Sequence, residues 1–325
     1  MTKHAIRRQR AHSRQVLAEL TAAFLGLLGA PSETRPTVRC LSRAHARALM
    51  IGARAQMDNP ELRGFSADSL LDTLVTGGLL IPVGIDTPGR NFAIYRVGQQ
   101  ASDIVDPIEL LEAAEPAGVV CYFTALQFYS LTTQVASHHH IARLVRRAPS
   151  TMNADAPRLT RTVGDIAAVR RRDPLGTRMF TYQGQPYYRT HRGTHTMAGI
   201  QLRRLNDSTI ARITTREQTL LDTLHRPLSC GGPSVVWEAW ERAVNELDVD
   251  TFVDHLRTLN DSRLLRRVGY MLQQQSFSVP TALGELLDRA RRAVLQSRDE
   301  EPVSLLPGIA GTKCDASWNL RLPGS

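Results

Sequence analysis

SADSLLDTLVTGGLLIPVGIDTPGRNFAIYRV, residues 66–97, decides the reading of this chain. Ser66 stands just before an apolar stripe, Leu70, Leu71 and Leu74, at helical spacing. A hydroxyl there can accept from the first free N–H groups of a helix. Gly77-Gly78 ends it, because glycine tolerates the left-handed turn that closes a helix. LLIPVGI (79–85) and NFAIYRV (91–97) then flank DTPGR (86–90), and two β-rich runs around a Pro-Gly turn make a hairpin. Upstream, residues 41–57 read as another helix, capped by Ser42, filled by alanines with Leu49 and Met50, and broken at Asn59-Pro60. Helix, helix, hairpin is the order of a winged helix-turn-helix. In that fold the second helix enters the major groove and the wing touches backbone or minor groove.

The helix at 66–76 is an unusual reader of DNA. It carries Asp68 and Asp72 and no arginine, so its donors to bases or phosphates are Ser66, Ser69, Thr73 and Thr76. Positive charge is expected from Arg43, Arg47 and Arg54 on the preceding helix, from Arg63 just before it, and from Arg90 and Arg96 on the wing. A packing or dimerisation module is the alternative for the same fold. Residues 1–35 form a basic helical extension: 3–28 reads as a helix with Arg7, Arg8, Arg10 and Arg14 at its start. The basic start and apolar run mimic a signal peptide, but Glu19 and Thr21 interrupt it. Leu17, Leu20, Phe24 and Leu28 recur at helical spacing, as in an amphipathic helix. A linker with Gly29, Pro31 and Pro36 follows.

Charge supports a polyanion partner. The 325 residues carry a net charge of +9, and of 40 basic residues only Lys3 and Lys313 are lysines. Schiff-base and Walker-loop chemistry therefore has only two candidate lysines, both near chain ends. Residues 1–54 hold 10 basic and 2 acidic side chains, and 151–216 hold 12 and 4. Residues 55–115, between them, hold 3 and 10. Two arginine-rich blocks suggest two basic surfaces. The second is densest at Arg170, Arg171, Arg172, Arg203 and Arg204 and is expected to extend DNA contact beyond the wing.

Catalytic and metal-binding patterns are missing. There is no GxGxxG, GK[ST], GxSxG or HExxH. Cys40, Cys121, Cys230 and Cys314 are too widely spaced for a disulfide framework or a zinc site, so they are expected as free buried thiols in a reducing cytoplasm. His138-His139-His140 is expected as an exposed polar strand end, and Asp248 and Asp250 as the start of a helix. No cofactor or metal is expected, and no apolar stretch is long enough to span a bilayer.

Residues 101–325 read as a mixed α/β domain that turns helical from about 214. An acidic helix runs from Pro107 to Glu115. Within VVCYFTALQFYSL (119–131), TALQFYSL is a helix with Leu126 and Tyr129 inward. A strand at 138–146 and hairpins around Gly184 and Asn206-Asp207 follow. Thr214 caps the next helix, with Glu217 completing a capping box. Helices at 234–247, 249–259, 261–274 and 281–297 lead to a tail containing Leu305, Leu306 and Trp318 that packs back on the body.

Four segments carry a family resemblance. VVCYFTALQFYSLTTQ (119–134) resembles the strand-then-"SAL..hGLT" signature of AbiEi-type antitoxins. ITTREQTLLDTLHRPLSCGG (213–232) is similar to that family's "T..ERTLLDLL.RP...GG". LLRRVGYMLQQ (264–274) resembles its "RRLGYLLE" helix, and LLPG with Trp318-Asn319-Leu320 its closing tail. The acidic second helix departs from many members, as do Thr124 and Tyr129 where Ser and His are common. The resemblance implies an α+β protein: a winged helix-turn-helix over 36–100, then an α/β antitoxin domain. It implies a non-enzymatic autorepressor that binds double-stranded DNA at repeats in its own promoter, as a monomer or weak dimer that can be cooperative on DNA. It also implies that the chain neutralises a nucleotidyltransferase toxin without a stable complex, in a type IV system of phage defence. A module that binds the toxin directly and a metal-dependent nucleic-acid enzyme are the competing readings.

Overall fold

The computed structural model describes residues 3–29, 40–57, 64–89, 92–98, 104–146, 173–206, 209–296 and 301–324. It is an α+β protein, and its chain divides into two compact units. The first is Met1–Pro116 with Phe180–Gly184 and Leu202–Ala211; the second is Ala117–Met179, Gln185–Gln201 and Arg212–Ser325.

The first unit opens with α1 (Lys3–Leu28), then β1 (Cys40–Ser42), α2 (Arg43–Gln56) and α3 (Ala67–Thr76). Strands β2 (Leu80–Pro82), β3 (Ile85–Asp86) and β4 (Ile94–Val97) and helix α4 (Pro107–Ala114) follow. Both expected caps are made. Ser42 accepts from the His45 N–H at 3.3 Å, and Ser66 from the Ser69 N–H at 3.1 Å. Each satisfies a donor that a helix start otherwise leaves free. Beyond the sequence reading, Cys40–Ser42 is itself a strand. It joins β4 and β2 in an antiparallel sheet of order β1-β4-β2, with Leu41 opposite Tyr95 and Ile81 opposite Arg96. β3 instead pairs with residues 181–182 of the hairpin segment assigned to this unit.

The apolar stripes of three helices meet in one core. Leu20, Phe24, Met50, Ala53, Leu71 and Leu74 are buried together, with Leu41 and Leu80 from the sheet. α1 approaches α2 so closely at Gly52 that an added Cβ would lie 3.1 Å from Leu27. The amphipathic reading of α1 therefore holds: its residues from Leu17 onward are a packed part of the unit.

The second unit is built on strands in the order β8-β6-β5-β10: β8 (Gln185–Gly193), β6 (His139–Val145), β5 (Val119–Val120) and the part of β10 (Thr209–Thr214) from Arg212 onward. β6 and β8 run parallel from His139 opposite Tyr187 to Val145 opposite Gly193. β5 is antiparallel to β6, and β10 parallel to β5. Hairpins join β7 (Thr177–Tyr182) to β8 and β9 (Ile200–Asn206) to β10. Around these lie α5 (Tyr122–Phe128), α6 (Arg216–His225), α7 (Pro233–Ala243), α8 (Val249–Leu259), α9 (Ser262–Gln274) and α10 (Thr281–Gln296). The tail folds into a small sheet, β11 (Val303–Ser304), β13 (Leu320–Pro323) and β12 (Gly311–Asp315) in that order. Its Leu305, Leu306, Trp318 and Leu320 join the core of Trp240, Phe252 and Met271. Gly269 is required there, because a Cβ would overlap the Trp318 indole.

Three expectations need correction. The cap of α6 is Thr215, whose side chain accepts from the Gln218 N–H at 3.2 Å; Thr214 closes β10. With Thr215 as the cap, the box expected between Thr214 and Glu217 does not form, and Gln218 makes none in its place: its Oε1 accepts from Ala198 N–H at 2.7 Å and its Nε2 donates to Asp222 at 2.8 Å. His138, His139 and His140 are buried, not exposed. Cys314 is exposed, whereas Cys40, Cys121 and Cys230 are free and buried as expected. Asp248 does start a helix, accepting from the Thr251 N–H at 3.1 Å.

Candidate functional site

Arg43, Arg47 and Arg54 do not stand as isolated charges. Arg43 occupies the first turn of α2 and Arg47 the next, and both reach Asp68 in the first turn of α3. Arg43 Nη2 donates to Asp68 Oδ1 and Arg47 Nε to Asp68 Oδ2, each at 3.2 Å. The two cations thus occupy both oxygens of one carboxylate. All three side chains remain open to water, at 40%, 52% and 42% exposure. The bonds from Arg47 and Arg43 hold the Asp68 carboxyl below the usual carboxylate range. Arg54, further along α2, donates to the Phe65 carbonyl at 2.8 Å and ties the turn before α3 to α2.

The hydroxyls of α3 are partly used within the helix. Ser66 is its cap, and Thr73 Oγ1 donates to the Ser69 carbonyl at 3.0 Å. Ser66, Ser69 and Thr73 mark the first two turns of the helix, and all three are exposed. Arg96 departs from expectation. It sits on the central strand β4 with the sheet on both sides, and it is buried. It is therefore part of the sheet and not an outward charge on a wing. Arg203 and Arg204 are exposed on β9. Arg7, Arg8, Arg10 and Arg14 lie along the first turns of α1, where only the helical backbone is described. Arg63, Arg90, Arg170, Arg171 and Arg172 lie outside the described residues.

Sequence reasoning missed the role of Asp68, which it counted only as an unhelpful negative charge. It also missed a polar centre in the second unit. Arg192 on β8 and Asp222 on α6 pair at 2.8 Å with side-chain exposures of 3% and 0%. Arg192 donates as well to the Thr196 carbonyl, and Asp222 accepts from Gln218 at 2.8 Å. Complete burial pushes the Asp222 carboxyl up, against the pull of Arg192. The Tyr122 ring lies beneath both Arg192 and Arg226, at 5.5 and 5.6 Å from their guanidinium carbons. Tyr122 itself has φ +56°, a left-handed conformation rare for a bulky residue. His140 stands edge-on to Tyr122 at 5.4 Å and is stacked on Tyr188 at 5.4 Å. Burial, reinforced by His138 and Arg226, holds His140 well below the ordinary histidine value. His138 bridges Ser137 Oγ at 2.9 Å and the Ser229 carbonyl at 3.1 Å. Accepting from the hydroxyl and donating to the carbonyl fits a neutral ring. Among the described residues no three of His, Cys, Asp and Glu gather as a metal site would need.

No protein-family model matches the chain, and no curated protein matches it. Among solved structures, it is similar to the crystal structure of the RV2827C protein from Mycobacterium tuberculosis. The identity is 14% and the TM-score 0.48, over 87% of this chain and 86% of that one. No helix among the described residues is long and apolar enough to cross a membrane.

Proposed function

We propose that this chain is a double-stranded-DNA-binding transcriptional autorepressor whose reading module is a winged helix-turn-helix at residues 36–100. The observation that carries the reading is the order of elements around one core: a strand, two capped helices, then β2 and β4, which join β1 in an antiparallel sheet of order β1-β4-β2. A helix pair backed by such a sheet is the arrangement that lays its second helix in the major groove. In this reading α3 enters the groove with Ser66, Ser69 and Thr73 at its leading turns, while Arg43 and Arg47 meet phosphates. The antitoxin role, the promoter repeats, the link to a nucleotidyltransferase toxin and the absence of catalysis rest on the four AbiEi-like segments of the sequence. The test is binding of the purified chain to duplexes from its own promoter. Ser69→Ala and Thr73→Ala should change preference among operator variants, and Arg43→Ala with Arg47→Ala should weaken all of them. Unchanged affinity and unchanged preference in all three variants would contradict the reading. A packing or toxin-binding module is the second reading, favoured by the engagement of both Arg43 and Arg47 with Asp68, which offsets one of their two charges. Co-elution with a toxin that survives nuclease treatment would support it.

A further inference from the structure

We propose that Asp68 is a resident substitute for phosphate: it holds Arg43 and Arg47 in the notch between α2 and α3 until a phosphodiester of duplex DNA replaces it. The inference rests on the DNA-binding reading above and adds its regulation. Two guanidinium groups converge on the two oxygens of one carboxylate, each at 3.2 Å. Guanidinium N–H groups fit carboxylate and phosphate oxygens with the same geometry, so the two anions compete for one cradle. The cradle has a second attraction for an anion, since Asp68 sits in the first turn of a ten-residue helix, where the helix dipole favours negative charge.

Exchange requires access, and the notch has it. All three side chains are roughly half exposed, and ion pairs at such exposure are weak enough for an incoming phosphate to displace. The displaced carboxylate then lies beside the phosphate backbone as a like charge. Asp68 therefore lowers affinity for every sequence equally, and the selectivity of α3 contributes a larger share of what remains. This accounts for an acidic helix in a DNA-reading position: the acid restrains non-specific binding that the flanking arginines would otherwise support.

Asp72 supplies the control. It is exposed on the same helix, one turn beyond Asp68, and neither the Arg43 nor the Arg47 bond involves it. Asp68→Asn and Asp72→Asn raise the net charge by the same amount, but only the first removes the anion that holds the two arginines and one of its two acceptor oxygens. The experiment measures binding of the full chain to a mixed-sequence DNA duplex by fluorescence anisotropy across a salt series. Thermal melts of each variant confirm the fold. Asp68→Asn should tighten binding roughly five- to tenfold, and Asp72→Asn less than about threefold. Adding Arg43→Gln and Arg47→Gln to Asp68→Asn should abolish the gain. Equal gains for the two aspartate variants, or a gain that survives removal of both arginines, would overturn the proposal while leaving DNA binding intact. Failure of every variant and of the unaltered chain to bind any duplex, its promoter included, would overturn the DNA-binding reading and the proposal with it.

Discussion

The protein pairs arginine with aspartate at two depths, and depth changes what the pair does. Arg43 and Arg47 meet Asp68 at the surface, with every partner about half exposed. Arg192 meets Asp222 where both are almost wholly buried. At the surface, water screens the attraction, so the pair adds little stability and its members stay available to other anions. In the interior neither charge can be left alone. Gln218 and the Thr196 carbonyl add hydrogen bonds to the buried set, although Arg192 Nε has no partner among the described residues, and the pair fixes β8 against α6. Arginine count is thus a poor measure of basic surface here: Arg96, Arg192, Arg266 and Arg267 are all buried. Arg267 is a tie inside the second unit, donating to the Ser304 carbonyl at 2.9 Å and the Leu224 carbonyl at 3.3 Å.

Breaking the buried pair should have the largest effect. Asp222→Ala strands the Arg192 guanidinium and is expected to cost about 3–5 kcal/mol in chemical denaturation. Arg192→Met combined with Asp222→Leu should recover most of that deficit. A small effect of Asp222→Ala alone would mean that the interior is wetter than its burial implies.

Acid separates the two regions next. His138 and His140 are held below the ordinary histidine value of 6.5 by burial. The unfolded chain takes up protons near that value while the folded chain does not, so stability falls as pH drops below about 6.5. The slope is up to about 1.4 kcal/mol per pH unit for each histidine. His140→Phe should flatten the slope, because neither ring nitrogen of His140 has a hydrogen-bond partner among the described residues. The surface pair behaves otherwise. Asp68 is held below its usual range, so its bonds persist through this window and break only in stronger acid. The smallest effect is at that surface: Asp68→Asn should leave the melting temperature of the chain nearly unchanged even as it alters binding.

The helices of the first unit were legible because their signals are local. Ser42 and Ser66 each sit one residue before a helix with an apolar stripe, and each makes the bond its position predicts. The α6 cap slipped by one residue because Thr214 and Thr215 are adjacent and chemically alike. Burial of His138–His140 was not legible, since three polar residues at a strand start read as solvated. Only the packing of Tyr122, Tyr188 and α5 around β6 puts them inside. The Asp68 cradle was invisible for another reason: its arginines lie 25 and 21 residues away, and no helical spacing links them. Arg96 was misplaced because a hairpin reading gives no information about which strand lies at the centre of a sheet.

The most direct test of the account compares the unaltered chain with Arg43→Ala/Arg47→Ala on promoter duplex over a range of salt concentrations. The account predicts weaker binding to every duplex and a shallower dependence on salt, by up to about 0.9 in the log–log slope for each phosphate that the variant no longer neutralises. Equal affinity and equal slope for the two proteins would contradict it.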